Sequence, residues 1–287
     1  MNDFLTIERD GAVLTVTMNR PDDRNAITDP EQSAEFVALA ESLARDRTVR
    51  AMVLTGAGKS FCAGGNVKSM REKTGLFAGS PFDQRTHYRT TVQTIGKALW
   101  ELEVPVVAAI NGHAIGLGLD ITLMCDVRVM ADDALVAESY VKLGIIPGGG
   151  GAWLLPRVVG LSNASRMTLT GETIDAATAL RYGLASEVVP TVEVLPRAQE
   201  IARAIAANPG HATRMAKRMM REGMDQKLPT HLEMAAAYQA LSHHTEDHVE
   251  AIDAAISQQV KTLEEHLQCQ LFVRVPRGLI LTPEGEN

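Results

Sequence analysis

The 287-residue sequence predicts an α/β architecture followed by a helical C-terminal region. Three short apolar runs carry the first half of that statement: "VRAMVLTGAG" (49–58), "VVAAING" (106–112) and "VRVMA" (127–131). Each has the length and β-branched content of a buried strand, and segments of helical period lie between them, the pattern of a mixed or parallel sheet. The second half rests on the region beyond residue 160, where strand signals nearly stop and helix-patterned segments succeed one another. Hydrophobic content of 45% with 22% charged residues is ordinary for a globular chain, and the length suffices for one sizeable core or a main domain with an appendage.

Taken in order, "FLTIERDGAVLTVTMNRP" alternates apolar residues around Asp10-Gly11 and reads as a hairpin that Pro21 ends. "DDRNAIT" is a polar loop. Thr28 or Asp29 caps a helix opened by Pro30, with Phe36, Val37, Ala40, Leu43 and Ala44 at helical spacing. Residues 83–102 read as one long helix ending near "ELEVP". The segment "HAIGLGLDITLMCD" joins the second and third buried strands. Beyond residue 160, "TIDAATALRYGLA", "VLPRAQEIARAIAAN", "GHATRMAKRMMREGM" and "PTHLEMAAAYQALSHH" read as helices separated by Gly and Pro, interrupted only by a short strand at "SEVVP".

Charge and composition exclude several classes of function. A formal charge of −7 argues against a broad nucleic-acid or anionic-membrane surface. No run of 18 apolar residues is present, and the acidic start "MNDFLTIERDG" lacks the core of a signal peptide, so the expectation is a cytoplasmic protein without a membrane span. Cys62, Cys125 and Cys269 are scattered without metal-ligand spacing and read as reduced thiols.

Several segments together resemble the crotonase superfamily, whose members include enoyl-CoA hydratases and isomerases. They are "RPDDRNAIT" (20–28), "LTGAGKSFCAGGNV" (54–67), "PVVAAINGHAIGLGLDITLMCDVRVMA" (105–131), "KLGIIPGGGGAWLLPRVVG" (142–160) and "LTGETIDAATALRYGLASEVVP" (169–190), in the family's order and spacing over about residues 1–255. The resemblance implies a spiral core of ββα turns over 1–195, a helical trimerisation region over 196–255, and assembly as a homotrimer or dimer of trimers. It also implies an acyl-CoA substrate, with CoA arriving on the substrate and no separate cofactor or metal.

The chemistry of such a substrate agrees with the loops. A thioester reacts through an enolate, whose negative oxygen needs two rigid N–H donors, and glycine turns and helix N-termini supply them. Carried over from the family, the donors are the backbone N–H groups of Gly65 and Leu117. Arg24, Ala26 and the turn Cys62, Ala63, Gly64 fall where the family meets the CoA nucleotide. The run Gly148–Gly151 is not a phosphate loop, because "AW" follows where Lys-Ser/Thr would be required. Relatives can carry an acid in that turn and this chain has none.

A hydratase of this family uses two glutamates. The first position holds Asp120, still a carboxylate but one methylene shorter; its bland alternative is a buried polar group at the start of a helix. The second holds Tyr140, a poor base at neutral pH, which either orients water or the acyl group or forms a pocket wall. Glu138, two residues earlier, projects to the same face if the segment is a strand, and so either replaces the missing acid or sits exposed at a strand end. Lys142 reads as a surface charge. His87, His113 and the His243-His244 pair lack a nucleophile to partner, although His87 lies in the segment that borders the acyl pocket in the family. The reading is an enzyme hydrating or isomerising an enoyl-CoA, with a catalytically weak acyl-CoA-binding protein as its rival.

The tail 256–287 resembles part of the DNA-binding region of LysR-type regulators: a recognition helix, "AISQQVKTLEEHL", and a wing, "QLFVRVPRGLILTPEGE". The supporting helices of that motif are absent, and three basic residues (Lys261, Arg274, Arg277) stand against four acidic ones (Glu264, Glu265, Glu284, Glu286), so nucleic-acid binding is not expected. Ile252, Ile256, Val260, Leu263 and Leu267 continue one apolar stripe across the junction, predicting a helix that runs through it and packs on the body or a neighbouring subunit.

Overall fold

A computed structural model describes residues 3–275 and 278–286. It divides into two compact units, Met1–Asn208 and Pro209–Asn287.

The first unit opens with the expected hairpin, β1 (Leu5–Asp10) and β2 (Val13–Met18), paired antiparallel with Asp10 opposite Val13. Gly11 takes a left-handed φ of 57° to turn it. Helix α1 (Pro30–Arg45) starts where the Pro30 signal places it, with Gln32 Oε1 accepting from the N–H groups of Thr28 (2.6 Å) and Asp29 (2.9 Å). Strand β3 (Ala51–Gly56) is buried throughout, and β4 (Ser60–Cys62) comes closely after it.

Next come α2 (Val67–Glu72), α3 (Pro81–Thr90) and α4 (Val92–Glu101). The long helix read over 83–102 is therefore two. They meet at Thr91, whose φ of −131° and ψ of −90° are not helical. Hydroxyls compete with the backbone at the break: Thr90 donates to the Thr86 carbonyl (2.9 Å), Thr91 to that of His87, and Thr94 to that of Thr91.

Strands β5 (Val106–Ile110) and β6 (His113–Ile115) lead into α5 (Leu117–Met124), then β7 (Val127–Ala131) and β8 (Leu135–Ala137). Residues 139–143 are not strand but a 3-10 turn, which gives way to the glycine run and α6 (Gly151–Thr170), itself broken at Gly160 with φ 77°. "TIDAATALR" splits into β9 (Thr173–Asp175) and α7 (Ala176–Arg181), correcting the all-helical reading. Ile174 pairs with Val136 across the sheet, and Asp175 caps the helix by accepting from the Thr178 N–H (2.8 Å). Strand β10 (Glu187–Val189) and α8 (Val194–Ala206) complete the unit.

Two sheets result. The larger has the order β1-β2-β3-β5-β7-β10 and is parallel except for the first pair; the smaller has the order β4-β6-β8-β9 and is parallel except for the last. Helix α8 buries Val194, Ala198, Ala202 and Ala206 on one side, a stripe of small residues that lets it lie close on β2, β3, β5 and β7. It thus belongs to the first unit.

The second unit holds α9 (Gly210–Glu222), α10 (Leu228–His243), α11 (Glu246–Leu267) and an antiparallel pair, β11 (Phe272–Val275) and β12 (Gly278–Leu281). The predicted run-through helix is present: α11 crosses residue 256 without interruption, from a Thr245 cap to Gln268 in the left-handed region. Glu264 ties the hairpin to it, its Oε1 accepting from the N–H groups of Leu271 (2.8 Å) and Phe272 (3.1 Å). Ile252, Ile256, Leu263 and Leu267 stand about half exposed along α11. Of the wing, residues 276–277 lie outside the described residues. Among those described, no helix is long and apolar enough to cross a membrane.

Candidate active site

The two glycine loops meet through backbone. β4 and β6 run side by side, so the turns that leave them are neighbours. A Cβ on Gly118 would lie 2.0 Å from the Cys62 carbonyl oxygen, and one on Gly64 would lie 2.5 Å from that of Ile115 and 3.3 Å from the Leu117 nitrogen. No side chain fits between them, which is the physical requirement for the glycines. Gly116, with φ 53°, precedes α5, so the Leu117 N–H belongs to the first turn and has no acceptor within its own helix. Gly65 lies directly beyond Gly64, in an isolated bridge with Ile27. The two candidate donor segments are thus side by side.

Helix α5 is buried at all eight positions, and Asp120 is its one ionisable side chain, 1% exposed. Tyr140 comes to it from the 3-10 turn and donates its hydroxyl to Asp120 Oδ2 at 2.9 Å. The Tyr140 ring lies over the Gly116 turn, 3.5–3.8 Å from where a Cβ there would stand. The glycine run closes the other side: a Cβ on Gly149 would be 2.5 Å from Asp120 Oδ2, and one on Gly151 would be 2.2 Å from Asp120 Oδ1 and 2.1 Å from Glu138 Oε1. Two of the four glycines, Gly149 and Gly151, thus leave the room that the two carboxyls occupy.

Glu138 corrects the sequence reading in two respects. It lies just past the end of β8 with φ −96° and ψ 61°, so strand alternation does not place it. It is also fully buried rather than exposed at a strand end. Burial raises both carboxyls above the ordinary range. For Asp120 this is opposed by the Tyr140 hydroxyl and by the N–H groups of Gly151 and Gly149; for Glu138 it is reinforced by the charge of Asp120. Burial and the two carboxyls push Tyr140 well above its ordinary value, so it donates a hydrogen bond and does not act as a base.

Arg24 is exposed and left-handed (φ 53°), and its carbonyl accepts from the Ala63 N–H at 3.0 Å, joining the loop to the 62–64 turn. Ala26 is buried beside it. The Cys62 thiol faces inward, donating to the Asn25 carbonyl (3.1 Å) while its sulfur accepts from the Gly64 N–H (3.4 Å), and burial pushes it up to about 12; it packs the turn from within. Asn25 was missed by sequence reasoning. Fully buried at φ 56°, it donates to the carbonyls of Ala57 (2.9 Å) and Ser60 (2.8 Å) and accepts from the Arg20 N–H (2.9 Å), holding both loops in place. Its place in the polar loop "DDRNAIT" gave no hint of burial.

His87 faces the Leu76 carbonyl at 3.2 Å, and Tyr88 beside it is the residue that borders the site. A Cβ on Gly148 would be 3.0 Å from the Tyr88 ring, and Tyr88 packs edge-on against Phe77 with centroids 6.5 Å apart. Phe77 and Met70 flank Gly65 in turn. An apolar wall therefore runs from the Gly65 loop to the glycine run. No periodicity could have indicated it, since α2 and α3 are short and the break at Thr91 falls inside the pattern.

Two sheets with paired glycine loops beside a buried carboxylate agree with the resemblance to acyl-CoA-processing enzymes, and comparison with known proteins supports that class. Residues 8–262 match the family model described as enoyl-CoA hydratase/isomerase, and residues 253–286 match that of the bacterial regulatory helix-turn-helix protein, lysR family. The chain is 31% identical over 258 residues to 1,2-epoxyphenylacetyl-CoA isomerase of Escherichia coli, covering 90% of this chain and 97% of that protein. It is 34% identical over 251 residues to the short-chain-enoyl-CoA hydratase of Clostridium acetobutylicum, covering 87% and 93%. The crystal structure of enoyl-CoA hydratase from Bacillus anthracis superposes with a TM-score of 0.83 at 31% identity, covering 89% and 96%. The chain belongs to the enoyl-CoA hydratase/isomerase family and has the crotonase fold.

Proposed function

We propose that this enzyme moves a proton within an enoyl-CoA thioester, with Asp120 as the proton carrier and the N–H groups of Gly65 and Leu117 as donors to the enolate oxygen. The observation that carries the reading is the 2.9 Å bond from Tyr140 to Asp120 Oδ2 beside the two joined glycine loops. Tyr140 stabilises the carboxylate form and fixes its orientation. The Arg24 loop and the 62–64 turn take the CoA portion, and the wall of Met70, Phe77 and Tyr88 takes the acyl chain.

One carboxylate suits isomerisation. Asp120 takes a proton from C2 of a 3-enoyl thioester, and the electron pair moves through the carbonyl to the thioester oxygen. Asp120 then returns the proton at C4, leaving the conjugated 2-enoyl product. Hydration is the second reading, favoured by the relatives named hydratase: water adds at C3, its proton passes to Asp120, and Asp120 protonates C2. No step requires a metal or redox group. The test is turnover of 3-enoyl-CoA and crotonyl-CoA, monitored by the absorbance of the conjugated thioester. Asp120→Asn should lower kcat by about 10²–10⁴-fold; undiminished turnover would remove Asp120 from the chemistry.

The half-exposed apolar residues of α11, with Leu228, Leu232 and Leu241 on α10, support assembly as a trimer or dimer of trimers. Three free cysteines fit residence in the reducing cytoplasm.

A further inference from the structure

Glu138 is a buried acid that the chemistry above leaves unused. It is 0% exposed, and among the described residues no hydrogen bond of ordinary geometry reaches either of its oxygens or Asp120 Oδ1. These unsatisfied atoms converge: Glu138 Oε1 and Asp120 Oδ1 lie 2.1 and 2.2 Å from the one point that a Gly151 side chain would fill. Two buried carboxylates facing each other cannot both be ionised without a large cost, and one shared proton removes that cost. The surroundings decide which acid keeps it. Asp120 has the Tyr140 hydroxyl and the glycine N–H groups, all of which favour its charged form. Glu138 has burial, the facing charge and its side-chain interaction with Asp120, all of which favour its neutral form.

We infer that Glu138 is a positioning residue, kept protonated at neutral pH, whose carboxyl O–H donates to Asp120 Oδ1 across the space that Gly151 vacates. Asp120 is then held from both sides, by Tyr140 on Oδ2 and Glu138 on Oδ1, and is the one ionised acid of the site. Glu138 does not touch substrate. Its influence passes through the orientation and charge of Asp120, and it answers the absence of an acid at position 140 without taking over that acid's proton transfer. This inference rests on the proposed role of Asp120 for its kinetic consequence, but not for the location of the proton.

The test compares the wild type with Glu138→Gln, whose amide also donates, and Glu138→Leu, which cannot. Without substrate, difference infrared spectroscopy of the wild type at neutral pH should show the carbonyl band of a protonated carboxylic acid, and Glu138→Gln should lack it. The folded state holds this proton where the unfolded chain has released it, so wild-type stability falls as pH rises above the ordinary carboxylate range. Glu138→Gln should therefore gain in melting temperature over the wild type toward alkaline pH. In turnover, the wild type should lose activity at alkaline pH as Glu138 ionises beside Asp120. Glu138→Gln should keep reduced activity without that alkaline loss, and Glu138→Leu should be slower than Glu138→Gln at every pH. Absence of the protonated-acid band from the wild type would overturn the inference, as would an unchanged alkaline limb in Glu138→Gln. Folded Glu138→Gln that is inactive at all pH would show direct proton transfer by Glu138 instead. The band without any thioester turnover would leave the proton assignment standing and reject the proposed function.

Discussion

At the scale of single residues, Asp120 and Tyr140 show how a changed side chain can alter a role while preserving a site. Tyrosine at position 140 supplies a donor where the family resemblance leads one to expect an acid, and the donor is spent on Asp120 at 2.9 Å. Because that bond favours the carboxylate, removing it should raise the pKa of Asp120 further. Tyr140→Phe is thus expected to move the acidic limb of the pH–rate profile to higher pH while leaving the fold intact, measured by kcat against pH. An unmoved limb would mean that the hydroxyl does not tune Asp120. Asp120 and Tyr140 were legible as site residues through the family resemblance, and the structure brings their side chains together. The burial of Glu138 was not: strand alternation accounts for a same-face placement, whereas the chain leaves the strand at Ala137 and reaches Asp120 through a tight turn.

At the scale of elements, backbone contact between loops does what side chains do elsewhere. The β4 turn and the start of α5 touch where Gly118 faces the Cys62 carbonyl, and any Cβ there drives backbone against backbone. Gly118→Ala should therefore destabilise the protein by about 1–3 kcal/mol, read from urea unfolding, and lower turnover by spreading the two N–H donors. Wild-type stability with wild-type turnover would refute the close-contact account. The buried strands were legible because continuous apolar runs such as "VVAAI" leave few alternatives. The break between α3 and α4 was hidden because three threonine hydroxyls, and no Gly or Pro, make it. β9 was hidden because three residues are too few to display a period.

At the scale of the molecule, the second unit carries more apolar surface than its own packing covers. Leu228, Leu232, Leu241, Val249, Ile252, Ile256, Leu263 and Leu267 are all exposed. Surfaces of this kind mark association, and light scattering should give the mass of a trimer or a multiple of it; a monomer at working concentration would contradict that expectation. The helix across residue 256 was legible from its stripe, and the hairpin beyond it from likeness to a wing, but the Glu264 clamp on Leu271 and Phe272 depends on a turn at Gln268 that no local signal announced.

The central claim, that Asp120 moves protons at the carbon beside a thioester, is tested most directly by exchange in deuterated water. An acyl-CoA incubated with the wild type should take up deuterium at that carbon, and Asp120→Asn should do so about 10²-fold or more slowly. Equal exchange in Asp120→Asn, or none in the wild type, would contradict the account.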